Sequence, residues 1–198
     1  MKTDYKKALF WEYFTVGYNF VEAFFSILFG RAAGSIALIG FGLDSVVESL
    51  SGLILIWRLR KHGRVDSIDE IKAERKAGIL VGLTFFILGT YVLFQSLRKL
   101  FLGEKPDPSL PGIIIALLSL TIMPFLAHKK YQLGIRISSP ALKADSKETL
   151  ACSFLSLALL LGLGLNYLFG FWFADSLTGL VVAAFLYREG RETWKEED

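Results

Sequence analysis

The chain has 198 residues, 53% of them apolar and 21% charged, with a net charge of +3 and a mean hydropathy of +0.47. The apolar residues come in long, nearly uncharged runs of about 17–25 residues, the length that spans a bilayer, which excludes an ordinary soluble enzyme, a disordered chain and a large extramembrane domain. Its single cysteine, Cys152, excludes an internal disulfide and with it a secreted disulfide scaffold.

The opening residues, Met1–Phe10, are polar and basic, and no small-residue cleavage site follows a short apolar region, so they are not a signal peptide. The first predicted span covers about 9–29 and carries a polar stripe of Thr15, Asn19, Glu22 and Ser26. A second span, about 34–57, contains Asp44 and Glu48, four residues apart and therefore on one helix face. The third, about 77–97, has Gly78 and Gly82 in a G-x-x-x-G spacing that lets helices approach closely. Span four, about 111–130, is short in its apolar part, Pro111–Ala127, and the basic residues that follow it are counted from the end of that part. Span five, about 139–167, is long, so its first turns protrude or tilt, and it holds Asp145, Glu148 and Cys152 on one face. A sixth span, about 171–187, has Asp175 near its outer end. Alternating strands with a dyad period are absent, which argues against a membrane β-barrel. The expected fold is an all-α integral membrane protein, a bundle of six transmembrane helices in one transmembrane domain with no soluble domain.

Lys and Arg set the orientation. Arg58, Arg60, Lys61, Arg64, Lys72, Arg75 and Lys76 follow span two; Lys129, Lys130 and Arg136 follow span four; the two termini are also basic. The opposite side has only Arg31, Arg98, Lys99 and Lys105. The positive-inside rule puts both termini in the cytoplasm of a cell (inner) membrane, and an even number of spans agrees. Because the basic residues lie between apolar runs, membrane orientation accounts for them better than nucleic-acid binding.

Ionisable groups inside spans are costly and mark functional sites. At 1.5 Å per residue, Asp44 and Glu48 lie roughly 15–21 Å in from Gly34, and Glu148 and Cys152 roughly 13–20 Å in from Ser139, near the middle of a core about 30 Å thick. Antiparallel helices two and five then present Asp44, Glu48, Glu148 and Cys152 at one level. Three carboxylates so placed repel unless protonated or neutralised by a cation. Three oxygens and a thiolate suit a four-coordinate divalent ion, with Zn²⁺ or Cd²⁺ favoured over Mg²⁺ or Ca²⁺.

Asn19, the run Gly34-Ser35-Ile36-Ala37-Leu38, the run Leu43-Asp44-Ser45-Val46-Val47-Glu48, the run Ser139-Pro140-Ala141-Leu142-Lys143-Ala144-Asp145, then Glu148, Cys152 and Ala174-Asp175-Ser176, together resemble the cation diffusion facilitator family of divalent-metal transporters over about residues 14–192. The resemblance implies a cation-efflux bundle whose helices two and five each carry two metal ligands four residues apart, here Asp44 with Glu48 and Glu148 with Cys152. The ligand types depart from the family's usual His and Asp, so a carboxylate takes the place of the proton-coupling His. The chain stops soon after span six, where many members continue into a soluble metal-binding domain, so a transmembrane-only member is expected. In the family, helix three lies at the dimer contact, which implies a homodimer through span three. A second metal site, found in some members, would fall here on His62, Asp66, Asp69 and Glu70.

The remaining polar residues keep open readings. Glu22 reads as a proton relay, a fifth ligand or a partner of a polar group, and Asn19 as a structural hydrogen-bonding group or part of the site. Asp145 lines the inward path, caps structure or joins the site. Asp175 lies at the outer mouth or caps the N-terminus of span six, and Lys147 faces away and snorkels. The expected activity is efflux of a divalent cation, Zn²⁺ ahead of Cd²⁺, Fe²⁺, Mn²⁺ and Co²⁺, by proton antiport and alternating access, with no cofactor beyond the transported ion. No phosphate loop or nucleophile–base motif points to an enzyme. The alternative is a membrane metal sensor or scaffold that transports nothing.

Overall fold

A computed structural model describes the backbone of residues 2–61 and 67–196 and, within it, the side chains of residues 4–60, 83, 85–139, 141–143 and 145–192. Six helices follow one another: α1 (Lys2–Ala33), α2 (Ile36–Lys61), α3 (Ser67–Leu102), α4 (Leu110–Arg136), α5 (Pro140–Phe169) and α6 (Phe173–Glu196). Long helices satisfy all but their terminal backbone donors and acceptors internally, which an apolar surrounding demands. Their ends are set by local chemistry. Ser109 and Ser139 cap α4 and α5, each accepting a backbone N–H with its side-chain oxygen (Gly112 N at 3.2 Å, Leu142 N at 3.3 Å), with a proline in the first positions. Gly170 ends α5 in the left-handed region at φ 66°.

Among the described residues, four helices, over Ile36–Arg60, Phe85–Leu102, Leu110–Arg136 and Ala141–Phe169, are long and apolar enough by length and composition to cross a membrane. Six spans were expected, and α1 and α6 fall short for a physical reason. Their polar residues Glu12, Glu22, Asp175 and Glu189 are buried against other helices, while Phe10, Phe14, Phe20 and Phe24 on the outer face of α1 are exposed. Averaged composition hides an apolar outer face behind a charged inner one.

α1, α2, α5 and α4 form a ring in which each packs on the next, and α3 pairs with α6 outside it, against α2 and, through α6, α5. The bundle thus has a terminal end, where α1, α3 and α5 begin and α2, α4 and α6 end, and a far end. α1 and α2 approach closely because Gly42 presents no side chain: a Cβ there would lie 2.9 Å from Ser26 Cβ and 3.1 Å from the Ala23 carbonyl oxygen. Two apolar clusters bracket the ring. Ala8, Leu55, Leu59, Leu133, Ile137 and Leu142 close the terminal end. Phe41, Ala116, Leu155, Leu159 and Leu163 belong to a larger cluster that continues into α3 and α6. Between them lies a layer of buried polar side chains.

Candidate metal centre

Asp44 and Glu48 project from adjacent turns of α2 into the ring, exposed by 2% and 3%, and Cys152 meets them from α5 at 3%. The Cys152 Sγ lies 3.1 Å from Asp44 Oδ2 and 3.1 Å from Glu48 Oε2. One thiol hydrogen cannot serve two carboxylates at once, so the cluster holds more acceptors than donors, the imbalance that a cation relieves. Thr149, one turn before Cys152, donates to Glu48 Oε1 at 2.8 Å. Among the described residues, no three His, Cys, Asp or Glu side chains already surround a common ion position.

The fourth expected ligand stands apart. Glu148 is half-buried, one turn nearer the terminal end, and its Oε2 accepts from Ser51 Oγ at 3.3 Å. Glu22 is buried and accepts from Ser45 Oγ at 2.9 Å and from Tyr18 Oη at 3.1 Å, which puts it one residue's neighbour away from Asp44. Ser156 donates to Ser119 at 2.9 Å across α5 and α4, extending the polar layer around the ring. Asn19 is fully buried, and its amide finds no hydrogen-bond partner among the described residues, so the expected bond across helices is not formed. Its level follows from its neighbours. Gly52 of α2 packs on Val16 and Ser45 bonds Glu22, which places Asn19 opposite Glu48.

Two expectations are corrected. Lys130, counted with the solvated basic residues after span four, is 1% exposed and lies inside the ring. Its Nζ pairs with Glu12 Oε1 at 3.1 Å and with Asp145 Oδ2, and donates to Thr149 Oγ1 at 3.0 Å. α4 runs on to Arg136, so Lys130 falls a turn and a half inside the helix rather than beyond it. Asp145 is held by this lysine. Asp175 is fully buried and caps α2, not its own helix: it accepts from Ser35 Oγ and, at 3.0 Å, from Ile36 N. A carboxylate at the positive N-terminus of a helix is favourable wherever it comes from. Asp175→Ala leaves those donors buried and unpaired, so the melting temperature of the purified protein is expected to fall, by an amount corresponding to about 1–3 kcal/mol.

His62 and Asp66 lie outside the described residues, as do the side chains of Asp69 and Glu70 and the surroundings of Gly78 and Gly82. Glu12, Lys130, Thr149 and Glu189 escaped the sequence reading. Glu189 of α6 is 8% exposed and within electrostatic range of Asp44 and Glu148. A signal existed for Lys130, because Met123, Leu126, Ala127, Lys130, Leu133 and Gly134 form one helical stripe of buried residues.

Residues 13–197 match the family model of the cation efflux transmembrane domain. The chain belongs to the cation efflux family. The resemblance to the cation diffusion facilitators, the all-helical membrane fold and the family's helix arrangement are thereby borne out. The chain is 23% identical to Transmembrane protein 163 of Xenopus laevis over 186 residues, which are 93% of this chain and 65% of that protein. It is 21% identical to the magnetosome protein MamB of Magnetospira sp. (strain QH-2) over 197 residues, 94% of this chain and 64% of that protein. An uncharacterized transporter of Synechocystis sp. is 25% identical over 153 residues, 75% of this chain and 49% of that protein. The chain thus spans about half to two thirds of the length of these relatives.

Proposed function

We propose that this chain of the cation efflux family carries divalent metal cations out of the cytoplasm, Zn²⁺ first, in exchange for protons. The observation that carries the reading is the buried contact of one thiol with two carboxylates from two helices, Cys152 with Asp44 and Glu48. A cation arriving there displaces the thiol proton and any proton on the carboxylates, and Glu148 swings in from one turn away as the fourth ligand. Reorientation of the ring helices then opens the site outward, where protons compete for the same oxygens and release the ion. Glu22, hydrogen-bonded to the residue beside Asp44, is the carboxylate placed to pass a proton on. The carrier works as a homodimer through α3, with both termini in the cytoplasm of the cell membrane, and no cofactor takes part.

The test is flux in liposomes that hold a pH gradient and a metal-sensitive dye. Gradient-driven entry of Zn²⁺ or another divalent ion is the expected result; no entry for any ion, with folded protein, overturns it. A second reading, a non-transporting sensor or scaffold, is favoured by one feature: the ligands do not converge on a preformed ion position. It expects metal binding without flux.

Cys152 sets the preference for soft ions. Cys152→Ser replaces a thiolate by a hydroxyl of similar shape, so Cd²⁺ affinity is expected to fall about 10–100-fold while Mn²⁺ affinity changes little. Competition between the two ions in equilibrium dialysis reads this out, and a parallel loss for both ions would argue against thiolate ligation.

A further inference from the structure

A complete buried ion pair stands between the metal centre and the terminal end of the bundle, and transport through Asp44 and Glu48 has no need of it as a ligand set. Glu12 on α1, Lys130 on α4 and Asp145 on α5 are exposed by 0%, 1% and 6%. Three ring helices thus each send one charge to the same point, directly inside the apolar cluster of Leu55, Leu59, Leu133 and Leu142. The ammonium is the cation of a small cradle. Glu12 Oε1 lies 3.1 Å from it, Asp145 Oδ2 pairs with it, and Thr149 Oγ1 accepts from it at 3.0 Å. The Glu12 and Asp145 carboxyl groups also face one another. Glu12 Oε2 and Asp145 Oδ1 are buried and lie outside the Lys130 contacts, within reach of each other's carboxyl group. Without the ammonium two ionised carboxylates carry two negative charges, which a divalent ion in its place would cancel in full.

We propose that Glu12, Asp145 and the Thr149 hydroxyl form a second divalent-cation site, a loading site that the tethered Lys130 ammonium fills until the ion arrives. The proposal rests on the transport reading above for its place in a route, but not for its chemistry. Thr149 links the two sites, because the hydroxyl that accepts from Lys130 donates to Glu48. An ion entering past the apolar cluster meets the cradle first, and the metal centre lies one helical turn further along α5. All the cradle's donors are hard oxygens, so it takes Mn²⁺, Fe²⁺ and Zn²⁺ with little discrimination, unlike a site with a thiolate. Displaced, the lysine withdraws along α4 toward the terminal end, its four-carbon stem staying in apolar contact.

Counting Mn²⁺ bound per chain by equilibrium dialysis of the purified full chain tests this. At free Mn²⁺ low enough that the ammonium still holds the cradle in wild type, Lys130→Gln, which removes that competitor, is expected to bind one Mn²⁺ more than wild type. Adding Glu12→Gln and Asp145→Asn to that variant returns the count to the wild-type value. Lys130→Arg keeps a cation in place and binds as wild type. An unchanged count in well-folded Lys130→Gln overturns the proposal. Wild type that binds no ion while Lys130→Gln binds one would sink the metal centre and leave the cradle standing, so the two failures are distinguishable. Should Lys130→Gln not fold, Glu12→Gln in the otherwise wild-type chain decides: the KM for metal supplied from the terminal side rises about tenfold while the equilibrium ion count is unchanged. An unchanged KM counts against the cradle.

Discussion

Asp44→Asn is expected to abolish metal transport. The substitution keeps the shape of the side chain and both of its polar atoms but removes the charge, and Asp44 is one of two carboxylates that share the Cys152 thiol. Loss of an outer-shell partner alone costs metal sites about 10–100-fold in affinity, and loss of a direct carboxylate ligand costs at least as much. Dye-reported Zn²⁺ entry should therefore drop to the level of protein-free liposomes, with the protein still eluting as wild type. The pH dependence has a definite sign. Carboxylate and thiol must be deprotonated to bind, so protons compete with metal and apparent affinity weakens as pH falls, by about tenfold per pH unit for each proton displaced. A wild-type affinity that is flat with pH would break the antiport reading even if flux were present. Retained flux in Asp44→Asn would instead move the site elsewhere in the polar layer, and Glu22, bonded through Ser45, is the first place to look.

Why some of this was legible in the sequence and some was not comes down to what spacing encodes. Asp44 and Glu48 stand four apart in an apolar run, and two carboxylates on one face of such a run have no bland explanation, so their convergence inside the ring was readable. Cys152 was readable by depth. Glu148 stands one turn away from the Asp44–Cys152 contact, because α5 admits two faces. The spacing 145, 148, 152 and the spacing 145, 149, 152, 156 are both helical, and the second is the buried one: Asp145, Thr149, Cys152 and Ser156 all face the interior. Charge misled where it was taken as a sign of solvent. Lys130 follows two residues, His128 and Lys129, that are not fully buried, and only the stripe it shares with Leu126 and Leu133 shows that it turns inward. Asp175 sits where its own helix begins, and the sequence gives no hint that the helix it caps belongs to the other end of the chain. That contact is tertiary, made by the close packing of α6 beside α2.

Breaking the Lys130 ion pair and replacing it are expected to have opposite effects on stability. Lys130→Ala removes the ammonium that pairs with Glu12 and Asp145 and leaves two carboxylates buried from solvent. Uncompensated buried charge of this kind costs about 3–5 kcal/mol, a large part of the stability of any single domain. The melting temperature of the purified protein in chelator should fall steeply. Lys130→Met with Glu12→Leu and Asp145→Leu removes all three charges together, keeps most of the volume, and joins the pair's site to the neighbouring cluster of Leu55, Leu59, Leu133 and Leu142. Replacements of buried ion pairs by packed apolar groups are often neutral or stabilising by about 1–4 kcal/mol, so the triple variant should melt at or above wild type. The contrast separates two roles that a single substitution confuses. If the triad existed for stability, the apolar triple variant would match wild type in every respect. If it is a cation cradle, the triple variant keeps its stability and loses rapid loading of metal, while Lys130→Ala regains stability when Mn²⁺ is added, because the ion restores the charge that the lysine supplied. A Lys130→Ala melt that Mn²⁺ leaves unmoved would reduce the triad to a structural pair.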